Sequence, residues 1–140
     1  MKIVLKRKGV NKKMIGYVDD IEAKTLANSF FREVLFTGKY AQLVVMSLLP
    51  NEEIGMEVHG TVDQFFRVEK GQGKVIMNGE EHEIKDGTAI IVPAGTEHNV
   101  INTSSTEALK LYTIYSPPNH PDKKIHKTKA EAMADEEDHA

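Results

Sequence analysis

The stretch Gly87-Thr-Ala-Ile-Ile-Val-Pro93-Ala-Gly95-Thr-Glu-His98-Asn-Val-Ile-Asn102 decides the reading of this chain. Thr88 to Val92 is a short β-branched run. Pro93-Ala-Gly95 is a turn, because proline presets its own φ and glycine accepts a positive one. His98 then stands at the head of a second run, Asn99 to Asn102. Upstream, Asn51 to Gly71 holds the complementary groups. Glu57, His59 and Thr61 share parity, so in an extended strand their side chains point to one face. Gln64, Phe66 and Val68 share a face of the next strand, after the short connection Gly60 to Asp63. A hairpin closing there brings Glu57, His59 and Gln64 together near its tip, and the turn before His98 can deliver that imidazole to the same spot. Two imidazoles, one carboxylate and one amide oxygen form a credible ligand set for a borderline divalent cation.

Outward from this stretch the chain is built of strands. Phe31 to Phe36, Ala41 to Leu48, Gln64 to Glu69, Lys74 to Met77 and Leu109 to Tyr115 are short and rich in β-branched or aromatic residues. Thr37-Gly-Lys39, Gly71-Gln-Gly73, Asn78-Gly79 and Asp86-Gly87 punctuate them, and Asn-Gly is the strongest two-residue hairpin signal. Closely spaced strands with such turns predict an all-β sandwich or barrel, and nothing suggests βαβ units. Before the strands, Met1 to Leu5 reads as a strand. A short helix follows, with Asp19 and Glu22 in capping-box spacing and Asn28 at its end. After them, Ser116-Pro-Pro-Asn-His-Pro121 reads as an ordered arm lying on the barrel, or else a linker, since proline removes ladder donors. Thr128-Lys-Ala-Glu131 is a capping box that starts a helix at Lys129, and an acidic, frayed tail ends the chain. The expected parts are an N-terminal strand and helix (1–28), a barrel (29–116) and a C-terminal arm and helix (117–140).

Bulk properties set bounds on partners. The chain has 140 residues, 40% of them hydrophobic, which suits one core. Its net charge of -3 gives no basic field for nucleic acid. There is no cysteine, so a metal has to use histidine, carboxylate or amide ligands. Neither a signal peptide nor a membrane-length apolar run is evident, so no membrane partner and a cytoplasmic location are the expectation.

The two stretches resemble the paired motifs of the cupins. The second cupin motif is Gly, five residues, Pro-x-Gly, two residues, His, three residues, Asn; Gly87, Pro93, Gly95, His98 and Asn102 meet it in full. The first is met in spacing, with Asn51 at the opening Gly, Glu57 and His59 at the two His positions, Gln64 at the Glu and Gly71 at the end. The resemblance implies a double-stranded β-helix, the jelly-roll cupin barrel, here with short N- and C-terminal helices. It also implies one divalent metal on Glu57, His59, Gln64 and His98. The usual His, His, Glu, His set carries a single anionic ligand. This set keeps one, moved from the third position to the first. Its oxygen enrichment favours Mn, Fe or Ni over Zn.

A metal centre of this kind implies an enzyme acting on a small oxygenated molecule, of isomerase, lyase or dioxygenase type, in keeping with the mannose-6-phosphate-isomerase-like label of such cupins. Glu57, where it is not a ligand, is the candidate base. The alternative is a cupin module that binds a small ligand or metal without turnover. The other polar residues read more plainly. Asp63 has the opposite parity to the inward set and caps a turn. His82 is a surface residue, and His120 and His126 belong to the arm. Phe66, Met46, Met77, Val44 and Tyr112 fill the barrel. No cluster of Arg or Lys accompanies the motifs; Arg67 alone is near, and parity turns it outward. The resemblance also implies a homodimer, with exposed residues of Phe31 to Phe36 as a candidate shared surface.

Overall fold

The computed structural model describes residues 15–135; the strand expected at Met1 to Leu5 and the end of the acidic tail lie outside them. Alternation of apolar and polar side chains sets the architecture. In β8 (Leu109–Ser116), Leu109, Leu111, Thr113 and Tyr115 turn inward and their neighbours outward. This strand lies at the centre of a six-stranded antiparallel sheet. Its neighbours are β3 (Asp63–Lys70) with β6 (Ala89–Val92) beyond it on one side, and β2 (Gln42–Leu48), β1 (Arg32–Thr37) and β9 (Ile125–His126) on the other. A second sheet has the order β5 (Glu80–Lys85), β4 (Gln72–Met77), β7 (His98–Asn102). Val44, Met46, Leu48, Phe66, Val68, Val75, Val100 and Leu111 belong to the one buried cluster that both sheets enclose. Two sheets closed over one core, with short helices α1 (Ile21–Ala27) and α2 (Lys129–Ala134), are the expected jelly-roll arrangement.

Two glycine-bearing links shape the second sheet. Asn78 and Gly79 both have positive φ, 48° and 83°, and join β4 to β5 as the two-residue turn read from the sequence. At Gly73 a Cβ would sit 2.3 Å from the Ile101 carbonyl oxygen, so only glycine lets β4 lie this close to β7.

Several details differ from expectation. The N-cap of α1 is Asp20, whose carboxylate accepts from Ala23 N, while Asp19 accepts from Asp20 N one step earlier. Strand β5 was not anticipated, because five of its six side chains are solvated and only Ile84 is buried. Tyr112 does not fill the barrel; it faces away from the core and packs on Phe65 at 6.1 Å. Tyr115 takes the inward place, 2% exposed. The arm is ordered across the first sheet. β9 pairs with β1, so β1 is not a free edge. Asp135, expected to fray, contacts Lys124 Nζ at 2.7 Å and His126 Nε2 at 2.9 Å. α2 begins at Lys129 with Thr128 as N-cap, as its capping box requires. No helix among the described residues is long and apolar enough to cross a membrane.

Candidate metal centre

The complete motif works through its backbone. Asn102 is 1% exposed, and its amide donates to the carbonyls of Leu48, Leu49 and Glu107 while its oxygen accepts from Ser104 N. It ties β7 to the end of β2 and to the loop before β8. Gly95 N donates to His59 O at 2.8 Å, and Asp63 accepts from Ala94 N at 2.8 Å. Asp63 is therefore a turn anchor, as its parity indicated. These bonds lock the Pro93–Gly95 turn beside His59 and leave His98 at the first position of β7.

Glu57 and His59 reach the site by a route other than the expected hairpin with β3. The segment between β2 and β3 is irregular and runs along β7 through isolated bridges, Glu53 with Ile101 and Glu57 with His98. Gly55, with φ of 112°, breaks the extended pattern, and Asn99 pins the segment by accepting from Gly55 N and donating to Glu53. Glu57 and His98 exchange both backbone hydrogen bonds, at 2.8 and 2.9 Å. Directly paired residues of this kind send their side chains to the same face. His59 joins them two positions on, its ring 5.5 Å from that of His98 between centroids.

Glu57, His59 and His98 thus each offer one ligand atom, and all three atoms lie within 4.8 Å of one another. His98 Nδ1 contacts Thr96 O at 2.9 Å. A carbonyl can only accept, so the proton is on Nδ1 and the Nε2 lone pair is available. That Nε2 is buried with no hydrogen-bond partner, and so is Nε2 of His59. His59 Nε2 approaches Glu57 Oε1 to 3.3 Å without hydrogen-bond alignment. Burial, the largest single influence on the Glu57 carboxyl, pushes it up. The adjoining His59 imidazole, then Arg32 and His98, outweigh that effect and hold it below the usual carboxylate range.

Gln64 is 2% exposed on β3. Its amide nitrogen donates to Thr113 Oγ1 at 2.9 Å, which leaves the oxygen buried and without a partner. Buried polar atoms without a hydrogen-bond partner are rare; His59 Nε2 and His98 Nε2 are two in one cluster, and Gln64 Oε1 is a third, on β3 opposite Tyr115, whose ring lies 6.0 Å from that of His59. A divalent ion would satisfy the lone pairs of both imidazoles and compensate the partly buried charge of Glu57.

The centre opens onto a cavity of about 380 Å³ whose walls include Arg32, Met56, Glu57, His59 and His120. Arg32 and the arm were not placed here by the sequence reading. Arg32 shares strand parity with buried Val34, which was the available signal; it is 6% exposed. His120 Nε2 lies 3.1 Å from the Tyr115 hydroxyl, with the two rings edge to face. Arg67, by contrast, is half-exposed, its Nε 3.8 Å from Glu69. His82 is exposed beside Glu80.

Comparison with known proteins agrees with this construction. Residues 44–115 match the family described as Cupin domain. The chain is 50% identical over 127 residues to the uncharacterized protein YrkC of Bacillus subtilis (strain 168), covering 86% of this chain and 68% of that protein. It is 45% identical over 109 residues to the uncharacterized protein L612 of Acanthamoeba polyphaga mimivirus, covering 75% of this chain and 68% of that one. The crystal structure of BH2720 from Bacillus halodurans superposes with a TM-score of 0.83 at 46% identity, covering 85% of this chain and 94% of that chain. Motif, barrel and relatives converge, and the chain belongs to the cupin family.

Proposed function

We propose that this cupin is a metalloenzyme holding one divalent ion on Glu57, His59 and His98, with Gln64 as a fourth ligand, and that it acts on a small oxygenated molecule. The observation that carries the reading is the pair of buried nitrogens without a hydrogen-bond partner, His59 Nε2 and His98 Nε2, grouped with the Glu57 carboxylate; the unpartnered Gln64 Oε1 supports the fourth ligand. Two nitrogens and two oxygens suit Mn, Fe(II) or Ni. The bound ion would supply Lewis-acid stabilisation of negative charge developing on a substrate oxygen, the chemistry shared by isomerases, lyases and dioxygenases.

The chain's own contribution is preorganisation. Thr96 O holds the His98 ring, and Thr113 Oγ1 holds the Gln64 amide with its oxygen free. The cavity beside the centre has room for a small molecule. The Tyr115–His120 pair at its wall offers a position where a proton can be held.

One observation favours a second reading, a binding module without turnover. Among the described residues Glu57 is the only carboxylate on the cavity wall, so once it is a ligand no second one of them remains there as a base. Turnover separates the two. Metal-replete protein should catalyse proton exchange or oxygen consumption with some member of a panel of hydroxy acids, dicarbonyls and sugars, and His98→Ala should abolish it. A metal-replete protein silent across the panel is the binding module. A protein that takes up no metal refutes the metalloenzyme and leaves only a module that binds a small ligand.

A further inference from the structure

Arg32 is a buried cation whose surroundings do not neutralise it. Its Nη1 lies 3.2 Å from His126 Nδ1. A guanidinium only donates, so that ring nitrogen accepts, and the proton of the ring is on Nε2, 2.9 Å from Asp135 Oδ2. Asp135 is in turn engaged by Lys124 at 2.7 Å. Arg32 Nε is buried and has no hydrogen-bond partner. Among the described residues no carboxylate lies within ion-pair distance of the guanidinium. Its one charged-group neighbour of note is Glu57, which shares the cavity and is grouped with His59 and His98.

Arg32 lies over the Phe31 ring, 5.2 Å from its centroid, but a buried guanidinium without an anion is still costly, and an anion from outside the chain would complete it. The cavity beside it supplies the place. With Glu57 at -1 and Arg32 at +1, a divalent ion would leave the site at about +2, which selects for an anionic guest. The fork of a guanidinium matches the planar oxygens of a carboxylate. Met56, Val58 and Met133 are exposed at the rim, 53%, 54% and 61%, and suit a short apolar chain better than a polyol.

We propose that the cavity binds a small carboxylate, such as a short hydroxy or oxo acid, with Arg32 as its anion receptor and the rest of the molecule turned towards Glu57, His59 and His98. Only the second half of this statement rests on the metal reading; the Arg32 contact does not.

The chain has three arginines, so the Nε–H region of a nitrogen–proton spectrum is simple enough to follow Arg32 directly. Acetate, lactate and malonate, with acetamide, lactamide and malonamide as neutral counterparts, are titrated at constant ionic strength into the full chain, as purified and after chelation. The acids are expected to shift the Arg32 signal saturably and to bind at least about tenfold tighter than their amides. Arg32→Gln is expected to abolish that preference with metal content unchanged, and Arg32→Lys to keep part of it. Should Arg32→Gln not fold, the wild-type titration and Arg32→Lys still decide the matter. No saturable shift with any of the three acids, or an equal response to the amides, overturns the proposal. Metal content is measured separately on each sample. Acid selectivity in protein that takes up no metal would leave Arg32 its role and refute the metal centre, and the reverse result would do the opposite.

Discussion

At the scale of single residues, the site depends on which lone pairs are left over. Thr113 shows how a neighbour sets this. It occupies the Gln64 amide nitrogen and so turns the oxygen into the orphan. Thr113→Val removes that restraint with little change of volume and should weaken metal affinity by about 10- to 100-fold, read by competition with a fluorescent chelator. Glu57 carries a pH prediction. Its carboxyl is held below the usual range in the fold, so it contributes stability above the ordinary glutamate pKa, and that contribution is lost as pH falls through the depressed value. In metal-free protein, Glu57→Gln should therefore be less stable than wild type at neutral pH, and the difference should close in acid below about pH 4. Urea denaturation across pH measures both limits. At this scale His98 and Gln64 were legible because motif spacing identifies them. Arg32 was not, because its partner His126 is 94 residues away in sequence and no local pattern announces such a contact.

At the scale of elements, turns and loops decide where the ligands go. Asn102 closes a loop junction by serving three carbonyls at once. Asn102→Ala leaves these buried acceptors short of donors and should cost about 3 kcal/mol in chemical denaturation. Strands β3 and β8 could be read from period two, and β1 and β2 from short runs rich in β-branched and aromatic residues. Strand β5 could not, because an outer strand with one buried residue has no apolar alternation to detect. The path of Glu57 was misread for a related reason. Parity put Glu57 and His59 on one face correctly, but the choice between β3 and β7 as partner is a matter of tertiary pairing, and Gly55 frees the segment to take β7. Helix α2 was legible because its cap is local, Thr128 to Glu131.

At the scale of the whole molecule, two sheets hold the ligands in advance, so metal binding should act on the folded state and little on the unfolded chain. Free ion at about 1,000 times its Kd should add about 4 kcal/mol to stability, seen as a rise in Tm that chelator reverses. The His98→Ala variant should show almost none of that rise. The closed barrel was foreseeable from strand spacing and turn chemistry. The arm was legible from its prolines, but its path was not, because 117–128 has no periodic pattern and is fixed by contacts with β1 and by Asp135. That arm places His120 and α2 at the wall of the cavity, whose mouth stays open to solvent.

Everything here depends on a cation between two imidazoles, a carboxylate and an amide. Crystals grown from protein reconstituted with manganese, measured on both sides of the manganese absorption edge, test it most directly. The account predicts one anomalous peak per chain, within coordination distance of His59 Nε2, His98 Nε2 and the Glu57 carboxylate, with Gln64 Oε1 completing the set. No peak there, or a peak held by other side chains, would contradict it.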